Sequence, residues 1–170
     1  MAELNRLSVD EMQTARRFPV AVVLDNVRSL YNVGSVFRNC DAFAVSTLCL
    51  CGITGHPPHR EIQKTALGAT ETVQWKYYQH TIDCVSQLKQ DGFKVFAIEQ
   101  THGSIQLQDI RAQIGEKNAF IFGNEVEGIN EKVLECCDAC IEIPQYGTKH
   151  SLNVAVSCGV VLWHYTATQC

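Results

Sequence analysis

Residues 143–165 read IPQYGTKHSLNVAVSCGVVLWHY, which places a turn, a helix start and an apolar helix one after another. Pro144 and Gly147 stop regular structure after the strand-like run that ends at Ile143, and Ser151 is a residue type that caps helices through its hydroxyl, so a helix is predicted to begin there. Leu152, Val156, Gly159, Val160 and Trp163 recur at three- and four-residue intervals, while Val154, Ala155, Val161 and Leu162 make the opposite side nearly as apolar. Such a helix is expected to be buried almost all round. Asn153 is out of character in its first turn, because an unpaired buried amide costs about 1–3 kcal/mol. Either it caps its own helix, or the free N–H groups of that turn join Ser151 and Asn153 in a floor for a ligand.

Working back from this segment, short β-branched or apolar runs alternate with helical patterns. Pro19–Leu24 (PVAVVL), Thr47–Cys51, Val73–Tyr77, Lys94–Ile98, Ala119–Phe122 and Ala139–Ile143 read as strands. Between them, Asn32 is predicted to cap a helix with the stripe Val33, Val36, Phe37, Cys40 and Phe43; Glu61–Leu67, Ile82–Lys89 and Asn130–Cys137 read as further helices. Six strands alternating with helices specify an α/β fold with a mostly parallel sheet. Gly34 inside the first helix costs about 1 kcal/mol relative to Ala, which implies close approach by a backbone or a ligand.

Arg38 falls off the apolar stripe, as a solvated charge or as a functional group. GNEVEG (residues 123–128) follows a strand and precedes a helix, the position at which open α/β sheets hold ligands. Glu125 and Glu127 there suit either that role or simple helix-start acidity. GITGHPPHRE (residues 52–61) reads as an exposed substrate loop.

Length and composition narrow the classes. At 170 residues and 46% hydrophobic content the chain forms one domain, residues 19–170, preceded by an arm at 1–18 in which Ser8 and Glu11 have capping-box spacing. With no leader and no apolar run long enough to span a bilayer, a cytoplasmic, membrane-free protein is expected. Nine cysteines, several in apolar runs, suit reduced buried thiols. Neither the Cys49/Cys51 nor the Cys136/Cys137/Cys140 group has paired zinc knuckles, so no metal is expected. A net charge of −4 argues against nucleic-acid binding through bulk electrostatics but allows a local basic patch. Neither a dinucleotide fingerprint nor a P-loop is present.

Asn32-x-Gly34-x-x-x-Arg38, Gly123-x-Glu125-x-x-Gly128 and Ile143-Pro144-x-x-Gly147-x-x-x-Ser151-Leu152-Asn153-Val154 occur in this order. Together they resemble the three motifs of the SpoU (TrmH-like) family of the SPOUT superfamily, S-adenosylmethionine-dependent RNA ribose 2′-O-methyltransferases. The resemblance covers about residues 20–165. It implies a C-terminal trefoil knot, a homodimer with the last helix at its interface, and a methyl donor held by Glu99, Gln100, Thr101, Gly123, Ile143, Ser151 and Leu152. It also implies catalytic roles for Arg38, Asn32, Glu125, Ser151 and Asn153, with Arg38 and Glu125 as a plausible ion pair. Gln145 stands where many members have Met.

The implied substrate is tRNA, with a D-loop guanosine ahead of the wobble position and of ribosomal RNA. Arg16, Arg17, Arg28, Arg60, Lys64 and Lys149 are the cations for binding it. Two other readings compete: a non-catalytic RNA-binding or assembly factor with the same fold, and a flavodoxin-like small-molecule binder. Donor binding discriminates the first, and flavin absorbance the second.

Overall fold

β1 (Phe18–Asp25) is apolar along its length because it lies near the centre of the sheet, covered on both faces. The computed structural model describes residues 11–12, 15–111, 113–148 and 151–169; the Ser8 capping box, Lys149 and His150 lie outside them. The other strands are β2 (Val45–Cys51), β3 (Trp75–Tyr78), β4 (Lys94–Ile98), β5 (Ile105–Gln106), β6 (Asn118–Phe122) and β7 (Ala139–Glu142). All pairings are parallel, in the order β3-β2-β1-β6-β4-β7-β5. The sheet thus has seven strands among the described residues, where the sequence predicts six. The additional one, β5, is two residues long, too short for its alternation to be recognised.

Strand alternation sorts the core into two layers. Val20, Val22 and Leu24 of β1, Leu48 and Leu50 of β2, and Phe120 and Phe122 of β6 face one side. They meet α1 (Leu30–Ala42), α2 (Arg60–Ala66) and the last helix, α6 (Val154–Ala167). The intervening Ala21, Val23, Cys49, Cys51, Ala119 and Ile121 face the other side, toward α4 (Thr81–Gln90) and α5 (Glu131–Leu134). A one-turn helix, α3 (Ala69–Thr72), precedes β3, which begins two residues later than its sequence pattern predicts. The helix after Asn130 is likewise shorter than predicted, ending at Leu134.

Gly34 has the close neighbour its position implies: a Cβ there would overlap Thr65 Oγ1 and the Ile62 carbonyl oxygen, so α1 and α2 pack backbone to backbone. Asn39 Nδ2 donates to the Ala155 carbonyl oxygen at 2.7 Å, joining α1 to α6. Cys40 and Cys158 are fully buried between the same two helices, and burial, reinforced by Cys158, pushes the Cys40 thiol well above its ordinary pKa.

Two helix starts differ from the sequence reading. Ser29, not Asn32, caps α1, its hydroxyl accepting from Asn32 N at 3.3 Å; Asn32 is the third helical residue. Asn153, not Ser151, caps α6, its Oδ1 accepting from Ala155 N and Val156 N at 2.9 and 3.3 Å.

Nor is α6 buried all round. Val154, Cys158, Val161, Leu162 and Tyr165 are buried, whereas Val156 and Trp163 are 52% and 63% exposed, with Leu152 and Val160 exposed on the same side. The predicted Leu152–Trp163 stripe is the outward one, because the inward face is filled by the residues between. No helix is long and apolar enough to cross a membrane among the described residues.

Candidate active site

The C-terminal ends of β4, β6 and β7 open into a cavity of about 490 Å³ beside the start of α6. Its floor is apolar, from Ile98, Phe122, Ile141 and Ile143, and its rim carries Glu99, Gln100, Glu125, Gln145 and Ser151. This is the end of a parallel sheet where loops leave the strands and backbone groups are not used by the ladder. The volume lies within the range of about 300–1,000 Å³ occupied by cofactor-sized ligands. Of the seven residues that sequence reading places around a donor, Glu99, Gln100, Gly123, Ile143, Ser151 and Leu152 line this cavity. Thr101 does not; its carbonyl oxygen instead accepts from Ser104 N in the turn beyond.

The 123–128 loop owes its shape to Asn124, which sequence reading passes over. Its Oδ1 accepts from Val126 N at 2.8 Å and Glu127 N at 3.3 Å, its Nδ2 donates to the Asn26 carbonyl oxygen at 3.0 Å, and its backbone pairs with Gly128. An Asn directly after a strand and a glycine is the available signal, since Asn side chains close such turns. Gly128 has a φ of +70°, and Glu99 packs against it, with Oε2 accepting from Ile129 N at 3.2 Å. A Cβ at Gly123 would meet the backbone of Gly128 and Ile129, so both glycines are needed to fold the loop this tightly. Beneath the loop, buried Asp25 accepts from Thr81 Oγ1, from Asn26 Nδ2 at 2.9 Å and from Asn130 N at 3.4 Å.

A chain of side-chain amides joins the three motif loops. Asn153 Nδ2 donates to Asn32 Oδ1 at 3.1 Å, and Asn32 Nδ2 donates to Glu125 Oε1 at 2.9 Å. The direction is set by α6: capping engages Asn153 Oδ1, so its NH₂ must point away, toward Asn32. Asn32 thereby presents its own NH₂ to a carboxylate, the stronger, charge-assisted kind of contact. Glu125 therefore pairs with Asn32, and the Arg38–Glu125 ion pair that sequence reading suggests is absent among the described residues.

Arg38 is exposed on α1, two residues short of the buried Cys40, and does not line the cavity. A separate shallow groove runs between α1 and α6, formed by Asn32, Ser35, Asn39, Val156, Val160 and Trp163, and Arg38 is not among the residues that line it. Asn153 lines both features, Asn32 lines the groove and Glu125 the cavity, so the amide chain runs from one to the other.

Residues 19–163 match the profile of the SpoU rRNA Methylase family. The chain belongs to that family. It is 31% identical over 163 residues to the 23S rRNA (guanosine-2′-O-)-methyltransferase RlmB of Vibrio cholerae, covering 95% of this chain and 64% of that protein. It is also 28% identical to the tRNA (guanosine(18)-2′-O)-methyltransferase of Thermus thermophilus, over 95% of this chain and 81% of that one. A solved structure of an AdoMet-bound rRNA methyltransferase from Sinorhizobium meliloti superposes with a TM-score of 0.81 at 26% identity, covering 90% of this chain and 58% of that one. This SpoU chain thus spans just under two thirds of the length of the V. cholerae protein.

The predicted cations separate into two kinds. Arg17 is spent on the fold, donating to the carbonyl oxygens of Val45, Met12 and Thr72 at 3.2, 3.3 and 2.7 Å, which ties the segment before β1 to β2 and α3. Arg16, Arg28 and Arg60 are exposed, and Lys64 lies over the Tyr31 ring while pairing with Glu61 at 2.7 Å. No group of three or more His, Cys, Asp or Glu side chains arranged to hold a metal occurs among the described residues.

Proposed function

We propose that this SpoU-family protein transfers a methyl group from S-adenosylmethionine to a ribose 2′-hydroxyl of RNA, with tRNA as the substrate and a D-loop guanosine as its first target. The observation that carries this reading is the Asn153–Asn32–Glu125 chain at the mouth of the cavity, which couples the two halves such a reaction needs. The tRNA guanosine-18 enzyme of T. thermophilus and the 23S rRNA enzyme of V. cholerae bracket the choice of RNA. The wobble nucleotide and ribosomal RNA are the alternatives. The family's trefoil knot and a cytoplasmic location belong to the same proposal.

The cavity suits the donor in size and chemistry, offering an apolar floor for the adenine and acidic side chains, Glu99 and Glu125, for a cationic ligand. When bound, the donor supplies an electrophilic methyl on a sulfonium. The protein's part is to align the 2′-oxygen with it and to help the proton leave. Asn32 and Asn153 fix Glu125 and the 123–128 loop, and Ser151 and Leu152 shape the wall. Arg38 acts on the substrate side. A guanidinium with a pKa above about 12 is a poor base, so it anchors a phosphate or polarises the 2′-hydroxyl, and the proton passes to water or phosphate.

A homodimer through the outward face of α6 completes the proposal, because Leu152, Val156, Val160 and Trp163 form a contiguous apolar stripe. Because α1 lines the adjoining groove through Asn32, Ser35 and Asn39, this pairing brings the helix that carries Arg38 close to the junction of two subunits. Light scattering is expected to give about twice the 19.0 kDa chain mass, and a fully active monomer overturns the dimer. Equilibrium titration with S-adenosylmethionine, together with mass spectrometry of tRNA nucleosides from cells with and without the gene, tests the activity. The expected result is donor binding and the loss of one 2′-O-methylated nucleoside. Binding without any such loss in tRNA or ribosomal RNA favours the non-catalytic RNA-binding reading.

A further inference from the structure

The edge of the sheet farthest from β5 carries an aromatic cluster that neither the cavity nor the amide chain uses. Trp75 and Tyr77 are alternate residues of β3, so they project from the same face of the edge strand. His56, from the exposed loop after β2, lies against both: its ring stacks on Trp75 at 5.9 Å between centroids and 21° between planes, and tilts on Tyr77 at 5.1 Å and 53°. The cluster is held in place. His56 Nδ1 lies 3.0 Å from the Pro57 carbonyl oxygen, which can only accept, so Nδ1 carries the proton. Tyr77 Oη donates to the Gly52 carbonyl oxygen at 2.8 Å. Trp75 is anchored in the core, while His56 is exposed and Tyr77 is 44% exposed.

The segments that adjoin these aromatic faces carry two arginines. Arg60 begins α2 directly after the His56 loop. Arg28 sits in the β1–α1 loop, which is stitched to the same β2–α2 loop: Ile53 N donates to Asn26 Oδ1 at 3.1 Å and Val27 N to Thr54 Oγ1 at 3.0 Å. Both arginines are exposed. The surface is continuous with the candidate active site, since Thr65 Oγ1 of α2 donates at 2.9 Å to the carbonyl oxygen of Tyr31, the residue before Asn32.

We infer that His56 and Tyr77 form a stacking platform for an unpaired nucleobase of the RNA substrate, with Arg28 and Arg60 holding the adjoining phosphates. Sequence-tolerant capture of unstacked bases on aromatic side chains beside cations is the usual means of holding single-stranded or loop RNA. It suits a chain with a net charge of −4, which cannot rely on bulk electrostatics. β3 lies three strand positions from β6, roughly 14 Å at about 4.8 Å per strand. The platform therefore serves a base roughly four nucleotides from the reacting ribose, at about 3.4 Å per stacked nucleotide. This inference rests on the proposed RNA methyl transfer for its substrate, but not on transfer for its test.

The test combines filter-retention binding of an unmodified tRNA transcript with steady-state methylation by the full-length protein. His56→Ala and Tyr77→Ala are expected to raise the tRNA Kd and KM roughly 5- to 100-fold, leaving kcat and donor affinity unchanged. His56→Phe and Tyr77→Phe keep a ring and are expected to bind like wild type, whereas His56→Lys is not. An abasic site scanned along the strand should weaken wild type at one position and leave the His56→Ala/Tyr77→Ala double variant indifferent there. Unchanged tRNA binding in both alanine variants, or rescue by His56→Lys alone, overturns the platform. If wild type retains tRNA and the alanine variants lose it, but no methyl is transferred, the platform stands and the proposed activity fails.

Discussion

α1 and α6 both begin beside the cavity and both place an asparagine in their first turn, yet the two asparagines are used in opposite ways. At α6, Asn153 is the cap and spends its oxygen on two backbone N–H groups, leaving only its NH₂ to act. At α1, Ser29 does the capping, which frees both ends of the Asn32 amide to accept from Asn153 and donate to Glu125. One asparagine thus both caps its helix and bonds across to another motif, and the other only bonds across. A helix start orients the first, and the first orients the second.

The largest effect is expected at Arg38, which sits six residues and about 9 Å along α1 from Asn32 and shares no contact with the cavity. Arg38→Ala is expected to lower kcat by roughly 10²-fold or more, with the melting temperature and donor affinity unchanged. Arg38→Lys should fail nearly as badly, since a point charge does not replace a planar fork. Single-turnover kinetics with donor titration checks both, and an active Arg38→Ala enzyme would make the residue a solvated helix charge after all.

Asn153 separates the two roles directly. Asn153→Ala is expected to cost about 1 kcal/mol of stability from the lost cap and to lower kcat as well. Asn153→Asp keeps the cap acceptor but loses the donor to Asn32, so it should melt like wild type and still be impaired. Asn32→Ala, by contrast, is expected to lower kcat about tenfold or more while leaving stability within about 0.5 kcal/mol, because Ser29 still caps α1. Denaturant unfolding paired with kinetics reads each of these. If Asn32→Ala proves as unstable as Asn153→Ala, the distinction between the two starts is wrong. Ser29→Ala closes the set, with about 1 kcal/mol lost from stability and kcat retained.

The sequence reading put the α1 cap at Asn32 and, at α6, started the helix at Ser151 while leaving a cap as one of two uses for Asn153; both ambiguities have the same origin. Ser and Asn are almost equally good N-cap residues, so local propensity does not choose between Ser29 and Asn32 or between Ser151 and Asn153. Partners 121 and 93 residues away make the choice, Asn32 with Asn153 and Asn32 with Glu125. The strands were legible because buried central strands are continuous apolar runs. So were most cavity residues, because they follow those strands and match motifs read by resemblance. What was not legible depends on tertiary contact: the two-residue β5, the fate of Arg17 on three carbonyls, and which face of α6 is left outside. An apolar stripe at helical spacing says only that something covers it, not whether that is the sheet or another subunit.

The smallest effect lies at the other end of the strands from the site, where Asp138 directly precedes β7. Partial burial disfavours the charged form of Asp138, but the Val95 N–H at 2.7 Å and the Lys89 ammonium at 2.9 Å hold its carboxyl below the ordinary range. A depressed folded-state pKa contributes stability above the unfolded carboxylate value and loses it as pH falls through the folded one. Asp138→Asn is therefore expected to be slightly less stable at neutral pH, by up to about 1 kcal/mol, with the difference shrinking in acid and activity unaffected. Thermal melts across that range check it.

The most direct test is to incubate the protein with S-adenosylmethionine labelled in its methyl group and an unmodified tRNA transcript, digest to nucleosides, and repeat with a 2′-deoxy nucleotide at the labelled position. The expected result is label in a single 2′-O-methylated nucleoside, abolished by the deoxy substitution and by Arg38→Ala. Label on a base, or transfer that survives removal of the 2′-hydroxyl, would contradict the ribose assignment and the role given to the Asn153–Asn32–Glu125 chain.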